Sequence, residues 1–288
     1  MKLYSYGKIN LLLDIKGKLQ NGYHDIKTVM QSVDIYDEIT LTSINDNKII
    51  IECSDSSIPI NESNTCYKAA MLLKKTYDIN AGIYIHIIKN LPAGAGMAGG
   101  SSNAAAVIKG LNAIWKLNLT QEEMCRIGAQ VGADVPFCIV GGTCLAEGLG
   151  DIVTELNDFL WNHILLVKPE FSISTAFVYK NLSSDYYNLY ADNKMLLHIA
   201  SQDYESAARC VSNTLERVVG KFYPEINSIK KILIDNGAMS SKMTGSGSAV
   251  FAFFKDDNSL NKAYQIAARI YPSTFKAKTS KYGVKFID

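Results

Sequence analysis

Pro92-Ala93-Gly94-Ala95-Gly96-Met97-Ala98-Gly99-Gly100-Ser101-Ser102-Asn103-Ala104-Ala105 is the stretch on which the reading of this chain turns. It sets four glycines and two serines into the nine positions 94–102. Before it, Ile83, Ile85 and Ile87 alternate with Tyr84 and His86, a strand pattern. After it, Ala104, Val107, Ile108, Leu111, Ile114 and Trp115 fall on one helical face. Glycine lets a backbone turn tightly and approach a ligand without a Cβ in the way. The helix that follows offers unpaired amides and the positive end of its dipole. Together these make an anion cradle, which points to phosphates and so to a nucleotide.

Two familiar phosphate-binding folds fail on context. Gly94-x-Gly96-x-x-Gly99 is the dinucleotide fingerprint as a string, but that fold needs a βαβ unit with an acidic residue about 20 residues on, at a strand end. Glu122 and Glu123 stand near that offset, in the first turn of a helix opened by a Thr120–Glu123 capping box. Helix follows helix, so the unit is absent. The P-loop needs Gly-Lys-Ser/Thr, and here Ser101-Ser102-Asn103 follows the glycines. A turn serving packing alone would not need four glycines directly before two candidate N-cap serines.

Composition narrows the class. The 288 residues are enough for one large domain or two ordinary ones, and 48% hydrophobic residues can build a sizeable core. Twenty-nine basic and 28 acidic residues leave a net charge of +1, without the basic face of a nucleic-acid binder or the polybasic patch of a membrane binder. None of the six cysteines (53, 66, 125, 138, 144, 210) has C-x-x-C spacing, so reduced and mostly buried thiols are expected. Ile9-Asn10-Leu11-Leu12-Leu13 is too short and broken for a signal peptide, and no apolar run reaches membrane-spanning length. These features describe a cytoplasmic protein of enzyme size.

Along the chain, Leu3–Ile15 reads as a strand interrupted at Gly7-Lys8, and Asn21-Gly22 as a turn. Ile35–Ile44 is a strand, with Lys48–Cys53 as its hairpin partner through Asn45-Asp46-Asn47. Helices are expected over Asn64–Tyr77 and from Thr120 to about Gly132, then a buried strand and turn over Phe137–Gly142. The second part begins at the strand His163–Lys168, so the chain divides into 1–158 and 159–288. It holds helices near Thr175–Asn181, from Met195, over Ser206–Val219 and over Ile226–Asn236. The loop Thr244–Ser248, a strand Ala249–Phe254, a helix Leu260–Tyr271 and a final strand near Phe275–Ile287 complete it. Strands and helices mix in both halves, so the fold class is α+β.

The glycine stretch closely resembles the signature loop of the GHMP kinase superfamily, which includes galactokinase, homoserine kinase and mevalonate kinase. Gly7-Lys8-Ile9-Asn10-Leu11 resembles that family's first motif, and Lys242-Met243-Thr244-Gly245-Ser246-Gly247-Ser248 its third. Within the superfamily, Asn21-Gly22-Tyr23-His24-Asp25-Ile26 and Gly132-Ala133-Asp134-Val135-Pro136-Phe137 look like motifs of the 4-diphosphocytidyl-2-C-methylerythritol kinases. Gly-Tyr-His is not expected in mevalonate or homoserine kinases, which are the alternative members. Met97 and Ala98 depart from the pattern, standing where leucine and glycine are commoner, and a methyl at Ala98 would tighten the phosphate turn.

The resemblance implies a two-domain fold, a ribosomal-protein-S5-like domain followed by a ferredoxin-like α+β domain. It implies ATP-dependent phosphorylation of the 2-hydroxyl of a soluble cytidyl diphosphate substrate, with Mg²⁺, by a monomer or homodimer. Phosphoryl transfer needs positioning, charge neutralisation and a handler for the alcohol proton. Pro92, Gly94, Gly96, Gly99, Gly100, Ser101 and Ser102 would form the phosphate cradle, the serines binding phosphate or capping the helix, a cap being worth roughly 1 kcal/mol. Asn64 would lie near the adenine. Asp134, by spacing an ordinary helix-end aspartate, becomes by its motif the catalytic base, with Lys8 beside it to lower its pKa and polarise the hydroxyl. Tyr23 and His24 fit stacking on and bonding to the cytosine, and Asn10, Thr175 and Tyr179 would lie near the substrate.

Overall fold

A computed structural model describes residues 1–287. The chain opens with β1 (Lys2–Lys18) and β2 (His24–Ile44), a long antiparallel pair joined through Asn21-Gly22, with Gly22 at φ +87°. The expected interruption at Gly7-Lys8 is a shift of register between Tyr6 and Lys8, a bulge that re-aims the strand there. There follow β3 (Ile49–Cys53), α1 (Thr65–Thr76), β4 (Gly82–Ile88), α2 (Gly99–Ile114), α3 (Gln121–Val131) and α4 (Val135–Val140). Next come β5 (Thr143–Gly148), β6 (Ile152–Glu155), β7 (Ile164–Val167), α5 (Thr175–Lys180), α6 (Met195–Ala200), α7 (Tyr204–Arg209), β8 (Ser212–Asn213) and α8 (Glu216–Phe222). The chain ends with α9 (Glu225–Asp235), β9 (Ser240–Met243), β10 (Val250–Phe253), α10 (Asp257–Ile270), β11 (Thr274–Ala277) and β12 (Val284–Ile287).

The first sheet runs β12-β1-β2-β4-β3, with β5 and β6 continuing from β2 and β8 lying parallel to β1. Helices α1 to α4 cover one of its faces. The buried run Ala104-Ala105-Ala106 lets α2 lie close on the strands, and a Cβ at Gly110 would stand 2.3 Å from Leu41 Cδ1. The second sheet, β11-β7-β10-β9, is antiparallel and packs on α8, α9 and α10. A third buried cluster joins the two, with Ile9, Leu11 and Val33 of the first sheet against Leu166, Phe251 and Phe253 of the second.

Five expectations are corrected. Ile49–Cys53 is not the hairpin partner of β2: it pairs in parallel with β4, and β4 takes the place beside β2. β4 buries Ile83, Ile85 and Ile87, whereas β3 buries only Ile51, so the strand with more apolar side chains takes the inner position. Phe137–Gly142 is mostly the helix α4, not a strand. Pro136 sits in its first turn, where a missing N–H costs nothing, and a short apolar run carries no period to separate the two states.

The helix expected over Ser206–Val219 is broken into α7 and α8 by Ser212-Asn213, which pair with Leu12 and Leu13. Tertiary hydrogen bonds of Asn213 outweigh helix propensity there. The final strand is two strands, and its second part, β12, returns to pair with β1 in the first sheet. The clean division at 158/159 therefore gives way. Residues 284–287 belong to the first sheet, and Phe159 lies in the core shared by both. The capping box at Thr120 is as expected, and Gly237 after α9 takes left-handed backbone.

Candidate active site

The three glycine-bearing motifs meet around one cleft of about 600 Å³. Its phosphate-like wall is the glycine loop. Gly94, Gly96 and Ala98 all have left-handed backbone, at φ +62°, +74° and +58°. A Cβ at Gly94 would meet Ser172 Oγ at 2.5 Å, and one at Gly96 would meet the Thr244 carbonyl at 2.3 Å. These two glycines are thus required both by conformation and by neighbours. Ala98 takes the same conformation with a methyl, at a cost of roughly 1–2 kcal/mol.

Ala98 is also the N-cap of α2, and its side chain offers no capping bond. The first intrahelical bond runs from Ser102 N to Ala98 O at 2.8 Å, so the amides of Gly99, Gly100 and Ser101 have no acceptor within the helix. No acidic side chain sits in that first turn. This is the anion cradle the sequence indicated, with one correction. Neither serine caps the helix, and Ser102 does not face the cleft. Its hydroxyl is buried and donates to the Tyr6 carbonyl at 2.7 Å, beside the β1 bulge. Ser101 lines the cleft, as do Pro92, Gly94, Gly96, Gly99 and Gly100.

Opposite the loop, the bulge turns Lys8 inward. Its amide donates to the Met97 carbonyl at 3.1 Å, and its ammonium, 3% exposed as a residue, donates to Asn10 Oδ1 at 2.7 Å and the Gly96 carbonyl at 2.9 Å. Asn10 in turn donates from Nδ2 to Thr28 Oγ1 at 2.9 Å, and Thr244 Oγ1 donates to Asn10 Oδ1 at 3.2 Å. Lys8 therefore ties the first motif to the second, while Asn10 ties it to the third. Asn213, fully buried, fixes the third motif by donating to the carbonyls of Met243 at 2.7 Å and Gly245 at 2.8 Å.

Asp134 precedes α4 and is the one carboxylate lining the cleft among the described residues. Lys8 lines the same cleft but is not ion-paired with it, since its ammonium is held by Asn10 and Gly96; the expected direct pair is corrected. The two charges share an environment all the same. The Cys138 thiol, pushed up chiefly by burial, is raised further by Asp134 and lowered by Lys8.

A second cavity of about 420 Å³ adjoins the first, and both are lined by Ile26, Leu149 and Tyr179. Tyr23, His24, Tyr179 and Tyr187 give it aromatic walls. The rings of His24 and Tyr179 lie 5.1 Å apart, and Tyr187 meets His24 edge-on at 6.0 Å. Burial, then the charge of Lys18, holds the His24 imidazole below its ordinary 6.5, which keeps it neutral. Tyr23 is 65% exposed at the rim. Thr175, at the start of α5, shares a 2.7 Å hydrogen bond with Ser246 of the third loop. Asn64 lines the main cleft, but its amide is engaged in structure: Oδ1 accepts from Cys66 N at 2.8 Å to cap α1, and Nδ2 donates to the Pro59 carbonyl at 2.6 Å.

Sequence reasoning missed Thr28, Tyr187 and Asn213, and gave Thr244 no role of its own. No local pattern marks Thr28, Tyr187 or Asn213, and Thr244 stands within the third motif without a signal for its bond to Asn10.

The chain is similar to known proteins over most of its length. The family description "GHMP kinases N terminal domain" matches residues 64–142, and "GHMP kinases C terminal" matches residues 195–273. The chain is 44% identical over 264 residues to the 4-diphosphocytidyl-2-C-methyl-D-erythritol kinase of Caldicellulosiruptor bescii, covering 91% of this chain and 92% of that one. Among solved structures it is similar to a 4-(cytidine 5'-diphospho)-2C-methyl-D-erythritol kinase, with TM-score 0.83, 23% identity, and 97% and 99% of the two chains covered. It is also similar to a homoserine kinase from Cytophaga hutchinsonii, with TM-score 0.81, 18% identity, and 100% and 97% covered. At such identities these two structures speak for the fold alone.

Proposed function

The chain belongs to the GHMP kinase family, and we propose that it transfers the γ-phosphoryl group of ATP to the 2-hydroxyl of 4-diphosphocytidyl-2-C-methyl-D-erythritol, giving the 2-phosphate and ADP. The reaction is a cytoplasmic step of the non-mevalonate route to isoprenoid precursors. One observation carries the site assignment. The one carboxylate lining the cleft among the described residues, Asp134, makes no side-chain hydrogen bond or ion pair with them, and it shares that cleft with the free amides of α2.

The free amides of Gly99, Gly100 and Ser101 hold the transferring phosphates, and the left-handed turns at Gly94 and Gly96 bring backbone close to them. Lys8, clamped by Asn10 and Gly96, presents its remaining N–H to the reacting oxygen and to the charge that develops there. Asp134 accepts the proton of the attacking hydroxyl; with no protein hydrogen bond to surrender, its oxygens are free to do so. His24 and Tyr23, with Tyr179, hold the cytosine, a neutral imidazole being able to donate from one nitrogen and accept at the other. Thr175 and Asn10 contact the substrate between them, and Asn64 borders the adenine.

The donor set suits Mg²⁺ bound mainly through nucleotide phosphates. Among the described residues no three His, Cys, Asp or Glu side chains form a cluster, and Asp134 is the carboxylate within the cleft. A divalent cation held there through the nucleotide phosphates, beside Asp134, would supply charge neutralisation for the transferring group.

The test is coupled ADP release with the cytidyl substrate, mevalonate, homoserine and galactose. The expected result is turnover of the cytidyl substrate in clear preference. Preferred turnover of homoserine or mevalonate would overturn the substrate assignment and spare the kinase fold.

A further inference from the structure

Asp14 is a buried carboxylate, 3% exposed, that the chemistry above does not use. Among the described residues it has no cationic partner. Three neutral donors hold it instead. Oδ1 accepts from the Ile15 amide at 3.0 Å and the Thr214 hydroxyl at 2.8 Å, and Oδ2 accepts from the Tyr190 amide at 3.1 Å. A carboxylate is costly to bury unless its oxygens are bonded, and bonds to a charged acceptor are about twice as strong as neutral ones. The residue thus supplies strong anchoring at one point rather than apolar packing.

What it anchors is specific. Beside the Asp14–Tyr190 bond, Asn188 donates its amide to the Ile15 carbonyl at 2.8 Å and its Nδ2 to the Lys16 carbonyl at 3.2 Å. These bonds lay residues 188–190 along β1, whose far end pairs Lys18 with His24. Tyr187, next in the chain, is thereby set edge-on to the His24 ring.

We propose that Asp14 is a positioning residue for base-side specificity, fixing the segment that sets Tyr187 against His24 as a wall of the base pocket. This rests on the cytidyl reading of that pocket. Asp14→Asn puts an N–H where an acceptor is needed and loosens the segment.

The variant should raise KM for the cytidyl substrate roughly tenfold, with KM for ATP and kcat within about twofold of the parent. In a Tyr187→Ala background the same change should add little, because both alter one wall. NMR titration of His24, read without turnover, should move up towards 6.5 as the imidazole loses cover. Equal rises in both KM values, additive effects in the double variant, or an unmoved His24 titration would each overturn the proposal. If Asp14→Asn does not fold, Asn188→Gly keeps the left-handed backbone at φ +55° and removes only the Nδ2 bond; it should shift the same quantities in the same direction by less, and no shift in any would equally overturn it. Failure of the cytidyl reading itself would appear separately, as absent turnover of that substrate by the parent chain, and the His24 titration would still decide the anchoring.

Discussion

Lys8 and Gly96, 88 positions apart, are joined by a 2.9 Å hydrogen bond from the lysine ammonium to the glycine carbonyl. The first motif thereby holds the phosphate loop in place while its charge faces the cleft. Lys8 is thus tied into the protein, whereas the Asp134 carboxylate has no partner among the described residues.

That contrast is measurable. Asp134→Asn should cut kcat by about 10²–10⁴-fold and leave Tm within a degree or so of the parent, because it breaks no internal bond. Lys8→Met should lose comparable activity and also lower Tm by several degrees, since one buried and one half-buried acceptor lose their donor, at roughly 1–3 kcal/mol for the buried one. Near-parental turnover in either variant would remove that residue from the mechanism.

Asn213→Ala leaves the Met243 and Gly245 carbonyls without their donor and frees the third glycine loop. A loss of about 2–4 kcal/mol is expected by chemical denaturation, together with a fall in kcat/KM. Destabilisation with unchanged kinetics would show that the loop's placement does not matter to turnover.

Ala98→Gly relieves a left-handed methyl worth roughly 1–2 kcal/mol, offset by about 0.4–1 kcal/mol of added freedom in the unfolded chain. The variant should be neutral to slightly more stable, whereas Ala98→Val should be clearly destabilised. A denaturation midpoint that falls on Ala98→Gly would contradict the strain at this position.

His24 gives the chain a pH signature. Its folded pKa lies below 6.5, so the unfolded state takes up a proton that the folded state refuses. Its contribution is complete above 6.5 and is lost as pH falls through 6.5 towards the folded value. KM for the cytidyl substrate should rise over the same acid range, and His24→Gln should flatten that rise. An identical acid limb in the variant would assign the effect to another group.

The sequence was most legible where a local rule sufficed. The Asn21-Gly22 turn, the Thr120–Glu123 capping box and the strand–glycine loop–helix order all follow from neighbouring residues. It was least legible where a partner lies far along the chain. Ile49–Cys53 reads as a hairpin arm until β4, with more apolar residues to bury, takes the place beside β2. Ser206–Val219 reads as one helix until Asn213 leaves it to hold the third loop. Ser102 reads as a cleft serine until the β1 bulge presents the Tyr6 carbonyl to it.

By itself, then, the sequence determined the α+β class and the kinase motifs, because these rest on short-range spacing and backbone conformation; the residue types for phosphate, proton and base are what those motifs propose. The tertiary structure alone decided which of those residues touch. It clamped Lys8 to Gly96 instead of Asp134, turned Ser102 away, returned the last strand to the first sheet and set Tyr187 beside His24. Such contacts depend on which distant groups compete for the same buried hydrogen bonds, a competition that is settled only when the chain has packed.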